Sequence, residues 1–319
     1  MAGDGDVIVV GGGVIGLTTA VVLAEGGRRV RVWTREAAEA TTSALAGALW
    51  WPYRIEPREL VGAWSLESLR VYEELAADPV RTGVRVVAGV HADVRLDELG
   101  PWAQEVAGLR QLPPGEVPGG YAAGLGARLP LVDMPMYLRW LRARLEAAGG
   151  VVEARTVRSP AEAMVGASVV VNCTGLGARE WVPDPGMRAV RGQLVLVENP
   201  GIDTWFTAAD EASSETTYFF PQPGRLILGG TAEDDAWDLE PDPATAAAIV
   251  ERCARVRPEI AGARVLGHRV GLRPVRGAGV RLAAEAGPAG VTVVHNYGHG
   301  GAGVTVAWGC AYAVAGLVD

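Results

Sequence analysis

The feature that most constrains the fold is a cluster of glycines that follows a short apolar run, Val7–Val10. Gly11, Gly13 and Gly16 have the spacing GxGxxG, and an apolar helical pattern continues to Gly26. This order of strand, glycine turn and helix is typical of a dinucleotide-binding βαβ unit, where the glycines permit a tight turn, the approach of a pyrophosphate and close helix–strand packing. The N–H groups at the helix start would bind the pyrophosphate. The residues predicted to contact the dinucleotide here are Gly11, Gly13, Val14, Ile15 and Gly16.

A second apolar strand, residues 29–33, follows the predicted helix. Glu36 lies near the spacing of the acid that binds the adenosine ribose in such units. We therefore predict that Glu36 and its neighbour Arg35 also contact the dinucleotide. Two alternatives stay open at this point. Glycine-rich turns occur in other α/β proteins, and Arg31 with Arg35 could neutralise the 2′-phosphate of NADP in a dehydrogenase.

The composition narrows the class of protein. With 319 residues, 49% of them hydrophobic, the chain is long enough for two domains, and no apolar run reaches the length of a membrane span. No secretory signal precedes the first strand, so we expect a soluble, cytoplasmic protein. The net charge of −8 gives no basic surface that would bind nucleic acid.

The absence of lysine excludes two kinds of chemistry. All 29 residues in the lysine and arginine class are arginines, so neither a Schiff-base lysine nor a P-loop lysine is present. With four histidines and no GxSxG motif, hydrolytic chemistry is poorly supported. Cys173, Cys253 and Cys310 lack the spacing of metal ligands, which predicts reduced thiols and no metal site.

The patterns along the chain predict an α/β fold with two interleaved domains. Residues 1–53, 132–190 and 265–319 are predicted to form a Rossmann-like dinucleotide-binding domain, and residues 54–131 and 191–264 a mostly antiparallel β domain that binds the substrate. The periodicity also predicts individual elements. These are helices after Pro57, from Asp133 to 149–150, at about 244–256 and from Gly303, and strands at 151–157, 167–172, 264–272 and 290–296.

Further segments carry a resemblance to a known family. They are TTSALAGALWWPY (41–53), VVVNCTGLGARE (169–180), TYFFPQPGRLILGGT (217–231), GLRPVRG (271–277) and HNYGHGGAGVTVAWG (295–309). With the N-terminal glycine motif, they make the chain resemble the flavin-dependent D-amino-acid oxidases over nearly its whole length. The resemblance implies a non-covalently bound FAD. It also implies oxidative deamination of D-amino acids by molecular oxygen (O2), giving 2-oxo acids, ammonia and hydrogen peroxide.

The resemblance assigns the substrate-binding roles to three residues. Arg273 would grip the substrate carboxylate, since a planar guanidinium binds a carboxylate through two hydrogen bonds. The Tyr218 hydroxyl would be a second donor, and the Gly301 carbonyl would accept from the substrate amine. From the residues alone, Arg273 could instead form a structural ion pair beside Pro274, and Arg276 could compete for the carboxylate.

The resemblance also implies a set of cofactor contacts. A glycine turn that leads into a helix N-terminus suits the negative charge that develops on the reduced flavin; the alternative is a plain loop and helix cap. His295 and His299 are not assigned as general bases, because transfer of the α-hydrogen as hydride requires alignment with flavin N5 rather than a protein base. Beyond the N-terminal motif, the expected contacts are Thr41, Thr42, Ser43, Gly47, Ala48, Leu49, Val157, Cys173, Thr174, Gly175, Arg273, Gly298, Gly300, Gly301, Gly303, Val304 and Thr305.

The chain departs from the family pattern in the region that would contact the substrate. Trp51 replaces a glutamine, and Ser214 stands where an active-site lid, here residues 210–217, would carry a tyrosine. No arginine occurs at 208–217, and Glu215 would repel a second carboxylate. We therefore expect neutral, or else basic, D-amino acids as substrates rather than D-aspartate.

Several alternatives to this reading remain. A glycine or sarcosine oxidase has a similar domain plan, and a D-aspartate oxidase is the less favoured relative. An NAD(P)-dependent dehydrogenase would be colourless, and a nucleotide-binding module without activity would release no peroxide. The sequence leaves the oligomeric state open, with a homodimer as one alternative.

Overall fold

The computed structural model describes residues 6–209 and 214–318. Its strands are β1 (Asp6–Val10), β2 (Val30–Thr34), β3 (Val84–Ala92), β4 (Arg110–Gln111), β5 (Gly124–Val132), β6 (Val151–Ala154), β7 (Ala167–Asn172), β8 (Met187–Val197), β9 (Trp205–Ala209), β10 (Glu215–Gln222), β11 (Arg225–Thr231), β12 (Glu233–Asp234), β13 (Val265–Arg276), β14 (Arg281–Ala286) and β15 (Thr292–Tyr297). Its helices are α1 (Val14–Glu25), α2 (Arg58–Leu75), α3 (Pro79–Thr82), α4 (Met134–Ala147), α5 (Pro160–Met164), α6 (Ala178–Trp181), α7 (Pro243–Val256) and α8 (Gly303–Val318). Within the described ranges, each of these helices is too short or too polar to cross a membrane.

The chain divides into two compact units, and unit 1 consists of residues 1–83, 134–188 and 273–319. Its sheet has the strand order β14-β15-β7-β1-β2-β6, parallel throughout except for β14. Residues 7–10 of the central strand β1 are buried, which explains their continuous apolar character. β1 is the strand that leads into the glycine turn, and β2 and β7 flank it on either side.

Two helices of unit 1 approach each other closely through a glycine. A Cβ atom built on Gly309 of α8 would lie 2.4 Å from the Cα atom of Trp64 in α2. The apolar face of α2 therefore packs on α8, and residues 54–83 belong to unit 1. The sequence had assigned residues 54–131 to the substrate domain. The boundary differs because an amphipathic helix shows that it has an apolar partner but not which one.

Unit 2 consists of residues 84–133 and 189–272. Its sheet has the order β12-β8-β11-β10-β9-β3-β5-β4, with β13 also paired to β8. Neighbouring strands from β12 to β4 in this order are antiparallel, except for β3 and β9, which are parallel. Helix α7 buries Ile249 and Cys253 in the same cluster as Phe219 and Leu228 of the sheet. The predicted fold class, a Rossmann-like unit with an interleaved and mostly antiparallel β unit, is confirmed.

Two strand bounds differ from those predicted. β6 stops at Ala154 rather than Val157, because its partner β2 ends at Thr34, which pairs with Ala154. β13 extends to Arg276, beyond the predicted end at residue 272. This extension matters for function, since it places Arg273 on a strand rather than in a loop.

Candidate active site

The turn between β1 and α1 has no room for side chains. Gly11 has a φ of +119°, and a Cβ atom there would lie 2.3 Å from the main-chain oxygen of Cys173. A Cβ atom on Gly16 would lie 1.9 Å from the Gly11 carbonyl oxygen. The start of α1 is therefore pressed against the turn and the end of β7. The N–H groups of a helix's first turn have no partner within the helix, so this arrangement suits a pyrophosphate.

Ser43 joins this motif from a distant part of the chain. Its Oγ accepts a hydrogen bond of 2.9 Å from the Val14 N–H at the start of α1. A Cβ atom on Gly13 would lie 2.9 Å from the same oxygen. The Thr41 hydroxyl, by contrast, donates to the Ala38 carbonyl at 2.6 Å. The structure thus brings one member of the predicted threonine and serine run to the glycine motif.

The acidic residue after β2 has a partner of its own. Glu36 Oε1 accepts a bond of 2.7 Å from Arg35 Nη2. Arg31 is paired with Glu153 through bonds of 2.7 and 3.0 Å. Both arginines that could have neutralised a 2′-phosphate therefore face a carboxylate, which does not favour NADP. Val157 packs against the buried cluster beneath this end of the sheet.

The segment Gly47–Leu49 precedes a main-chain contact with α8. Ala48 has a φ of +58°, a strained conformation for a residue with a side chain. The Thr305 hydroxyl accepts from the Trp51 N–H at 3.2 Å and donates to the Trp51 carbonyl at 3.0 Å. Because that hydroxyl is engaged with Trp51, a cofactor contact at Thr305 would use its main-chain N–H, as at Gly303 and Val304.

The glycine turn before α8 is bound to β13. Gly298 and Gly300 have φ values of +90° and +55°, and the Gly300 N–H donates to the Pro274 carbonyl at 2.9 Å. A Cβ atom on Gly301 would lie 3.3 Å from Arg273 Cδ and 3.6 Å from Tyr53 Cδ1. The side chain of Arg273 therefore lies beside Gly301 at the start of α8.

Arg276 has a structural role. Its Nε donates to Asp184 Oδ2 at 2.8 Å, and that oxygen also accepts from the Tyr297 hydroxyl at 2.7 Å. Burial alone would raise the pKa of Asp184, but hydrogen bonds from Arg276, Tyr297 and the Gly186 N–H hold it below its usual value. Arg273 and Arg276, three residues apart on a strand, point to opposite faces. Arg273 lies beside Gly301 of the glycine turn, whereas Arg276 lies beside Gly298, where a Cβ atom would be 2.7 Å from Arg276 Cβ.

The segment that follows β7 contains three of the residues that were expected to contact the cofactor. Burial raises the pKa of the Cys173 thiol to about 12, so this side chain is a neutral packing group. The Thr174 N–H and hydroxyl both donate to Asn172 Oδ1, at 3.2 and 2.8 Å. Gly175 lies close to Pro274, since a Cβ atom there would be 3.8 Å from the proline Cβ. The sequence reasoning missed Asn172, whose signal was a polar residue closing an apolar strand.

Both histidines of the C-terminal motif are buried and hydrogen-bonded. His299 Nε2 lies 3.1 Å from Asn296 Oδ1, and burial lowers the pKa of His299 to about 3. His295 Nδ1 lies 3.2 Å from the Asn172 amide nitrogen. These contacts account for both side chains without a role as general base.

In unit 2, Tyr218 lies across two glycines of the neighbouring strand. It pairs with Gly229, where a Cβ atom would stand 2.0 Å from the tyrosine Cζ. A Cβ atom on Gly230 would stand 3.0 Å from the tyrosine hydroxyl oxygen. The ring stacks on Phe220 with a centroid separation of 4.8 Å. The half-buried Tyr218 ring is thus fixed by its own sheet.

Part of the predicted lid, residues 210–213, lies outside the described residues. Ser214 is exposed, and Glu215 Oε1 lies 3.3 Å from Arg252 Nη1 on α7. Arg252 also donates to the Gly230 carbonyl at 3.1 Å. The nearby guanidinium offsets the Glu215 charge, so Glu215 would repel an acidic substrate less than an unpaired carboxylate would. Sequence spacing gave no sign of this pair.

The chain is similar to a known family, to known proteins and to solved structures over nearly its whole length. A family described as FAD dependent oxidoreductase matches residues 6–317. A D-amino-acid oxidase of Streptomyces coelicolor is 67% identical over 99% of this chain and 97% of its own length. A D-amino-acid oxidase of Rubrobacter xylanophilus is 49% identical over 97% of this chain and 94% of its own length. The crystal structure of a glycine oxidase from Geobacillus kaustophilus superposes with a TM-score of 0.82, at 20% identity, over 98% of this chain and 95% of the other.

Proposed function

The chain belongs to the family of FAD-dependent oxidoreductases, and from that membership we propose that it is an FAD-dependent oxidase of neutral D-amino acids. The products would be a 2-oxo acid, ammonia and hydrogen peroxide, with O2 as the electron acceptor. The preference for the D form is supported by the two full-length bacterial relatives named D-amino-acid oxidase. The 20% identity to a glycine oxidase supports the fold alone.

One observation carries the proposal: Arg273 lies beside Gly301 in the glycine turn that begins α8. An amino acid presents a carboxylate and an amine two bonds apart through Cα. A guanidinium next to a main-chain carbonyl is complementary to that pair, because it donates to the carboxylate while the carbonyl accepts from the amine. Arg276 is a poor candidate for the carboxylate, since it is bonded to Asp184.

Three groups would then hold the substrate. Arg273 binds the carboxylate through two hydrogen bonds, and the Tyr218 hydroxyl donates a third. The Gly301 carbonyl accepts a hydrogen bond from the amine. These contacts hold two of the four groups on Cα, the carboxylate and the amine, so the enantiomer would be selected by whether the hydrogen or the side chain faces the hydride acceptor. When bound, FAD supplies a hydride acceptor that passes two electrons to O2.

The cofactor would contact the starts of two neighbouring helices of unit 1, since a Cβ atom on Gly303 of α8 would lie 3.9 Å from Ile15 Cδ1 of α1. The N–H groups at the start of α1, with Ser43 beside them, suit the pyrophosphate, and Glu36 suits the adenosine ribose. The N–H groups of residues 303–305 at the start of α8 suit negative charge on the reduced ring. The fit of this cradle rests on glycines whose Cβ atoms would collide with their surroundings.

The preference for neutral side chains is the finer part of the proposal. Trp51 would give the pocket a bulkier wall than the glutamine of the family pattern. Within the described residues 208–209 and 214–217 there is no arginine that could pair a second carboxylate. The Arg252–Glu215 pair makes acidic substrates the main competing class to test.

A reducing compartment, the cytoplasm, is proposed on the state of the cysteines. Cys173, Cys253 and Cys310 are buried free thiols. Burial raises the pKa of Cys173 and of Cys253 to about 12, so neither is a reactive thiolate.

A peroxide assay on the FAD-loaded enzyme tests the function. The substrates would be neutral, basic and acidic D-amino acids, the matching L-amino acids, glycine and sarcosine. We expect turnover of neutral D-amino acids and little turnover of the L forms. Turnover of glycine and sarcosine alone would assign the protein to the competing oxidase, and no turnover of any D-amino acid would refute the proposal.

A pair of variants tests the site. Arg273→Ala should lose most activity while retaining FAD absorbance. The matched control is Arg264→Ala, an exposed arginine paired with Glu198, which should behave like the wild type. Normal turnover by Arg273→Ala would contradict the assignment of the carboxylate to Arg273.

A further inference from the structure

Asn172 closes β7 with an amide whose orientation is fixed by its partners. Its Oδ1 accepts from the Thr174 N–H at 3.2 Å and from the Thr174 hydroxyl at 2.8 Å. A main-chain N–H can only donate, so the atom facing it must be the amide oxygen. The other amide atom, Nδ2, is therefore the donor that faces the neighbouring strand.

The fixed amide determines which nitrogen of His295 carries the proton. Asn172 and His295 are register partners on β7 and β15, with Nδ2 and Nδ1 3.2 Å apart. Because Nδ2 donates, Nδ1 must accept, and the proton of the neutral ring lies on Nε2. Nε2, which carries that proton, lies 3.1 Å from Glu285 Oε1 without forming a well-aligned hydrogen bond.

This pair holds a turn that touches two functional segments. Thr174 follows Cys173, whose main-chain oxygen would lie 2.3 Å from a Cβ atom on Gly11. Gly175, with a φ of +57°, lies beside Pro274, the residue after Arg273. Movement of this turn would therefore disturb both the glycine motif and the strand that carries Arg273.

We infer that Asn172 and His295 are positioning residues for the bound cofactor: the neutral His295 ring orients the Asn172 amide, and that amide fixes the turn of Thr174 against FAD. The inference rests on the proposed contact of Thr174 with the cofactor. It concerns neither the substrate nor the chemical step.

The charged groups that act on His295 come from β14 and from the segment after α6. Glu285 and Arg281 of β14 act on it in opposite directions, and Asp184 acts from farther along the chain. Burial lowers the pKa of His295. Protonation at Nδ1 would set two donors, Nδ1 and Asn172 Nδ2, against each other, and the Asn172 amide would lose its anchor.

Two substitutions of His295 separate its two nitrogens. In His295→Asn, the amide oxygen can take the place of Nδ1 and still accept from Asn172. In His295→Gln, the longer side chain puts its amide near the position of Nε2, which keeps the Glu285 contact but loses the acceptor. A role limited to filling space would make the two variants alike.

The readout is the rate of FAD release from the diluted holoenzyme, followed by the rise in flavin fluorescence. We expect release to be roughly tenfold faster in His295→Gln, the loss of one buried hydrogen bond, and close to the wild-type rate in His295→Asn. Equal release rates in the two variants would overturn the inference. If neither variant folds, the wild-type pH series decides: because burial lowers the pKa of His295 from 6.5, release must accelerate only as the pH falls below 6.5, and a flat profile down to the pH of acid unfolding would overturn the inference.

A further variant separates this inference from the proposed function. Asn172→Ala removes the bonds to Thr174 and should release FAD at least as fast as His295→Gln. Normal FAD retention by Asn172→Ala would refute the contact of Thr174 with the cofactor and, with it, the inference. The oxidase proposal would stand or fall separately, on peroxide release by the wild-type enzyme.

Discussion

Arg276 donates a hydrogen bond from Nε to the Asp184 carboxylate at 2.8 Å, and this bond gives the two arginines near the end of β13 different roles. Asp184 and Arg276 are largely buried, with 9% and 22% of their side chains exposed. Arg273 lies on the other face, beside Gly301. One arginine stabilises the fold, and the other is proposed to bind the substrate.

Substituting these two arginines should separate activity from stability. Arg273→Ala should lower kcat/KM by about 100-fold, mostly through KM, because a charged carboxylate contact is worth about 3 kcal/mol. Arg276→Met should instead lower the free energy of unfolding by about 2 kcal/mol, because Asp184 is left buried without its cation. Steady-state kinetics and urea unfolding of both variants measure this. Equal effects of both substitutions on KM would contradict the division of roles.

Tyr218→Phe should raise KM about five- to tenfold with little change in unfolding, since it removes one hydrogen-bond donor and leaves the ring in place. Gly229→Ala should be more harmful, because its Cβ atom would stand 2.0 Å from Tyr218 Cζ and displace the ring. Steady-state kinetics on a neutral D-amino acid and thermal unfolding of both variants would show which substitution is more harmful. A benign Gly229→Ala would mean that the ring position is unimportant.

Gly16→Ala should abolish FAD binding and destabilise the protein by about 3 kcal/mol, because its Cβ atom would lie 1.9 Å from the Gly11 carbonyl. Gly26→Ala, after the same helix, is the control. A Cβ atom there meets only carbonyl oxygens at 3.3 and 3.4 Å, and stability should change by less than about 0.5 kcal/mol. Flavin absorbance after gel filtration would report the cofactor. Retention of FAD by Gly16→Ala would be inconsistent with the described packing.

Stability should fall in acid partly through His299. Burial lowers its pKa from 6.5 to about 3, so below pH 6.5 the unfolded chain binds a proton that the folded protein excludes. The contribution of His299 to the free energy of unfolding is complete above pH 6.5. It is lost as the pH falls towards 3, by up to about 1.4 kcal/mol per pH unit. Urea unfolding from pH 8 to 4 would measure this slope.

The matched variant for this pH dependence is His299→Gln, whose amide can still donate to Asn296 but does not titrate. Its stability should depend less steeply on pH than that of the wild type. His91 would account for part of the pH dependence that remains in this variant. Burial lowers the pKa of its ring to about 4, so His91 also makes the protein less stable as the pH falls. An unchanged slope in His299→Gln would rule out the assignment.

The sequence predicted elements whose signals are local. The helices α4 and α7 begin and end within a few residues of the predicted positions, because Pro135 and the apolar periodicity are features of neighbouring residues. The glycine motif could also be identified from the sequence, because its spacing alone determines which residues meet at a strand-to-helix turn.

The sequence could not predict the contacts that shape the candidate site, because its signals are local. The bond from Val14 to Ser43, the Asp184–Arg276 pair and the Arg252–Glu215 pair all join segments distant in sequence. A sequence shows that an arginine is present but not which carboxylate it meets. The role of Arg276 could therefore be assigned only from the structure, which places Asp184 beside it.

The three-piece construction of unit 1 governs when a newly made chain can take up its cofactor. β1 and the glycine turn leave the ribosome first, yet β15 and α8 follow only after residues 189–272 of unit 2 have been synthesised. Until then β7 has no strand on its outer side, and α1 and α2 lack the helix they pack against. Vectorial synthesis therefore delays flavin loading to a late, nearly post-translational step, and a chain truncated within unit 2 would be a target for degradation rather than a partly active flavoprotein.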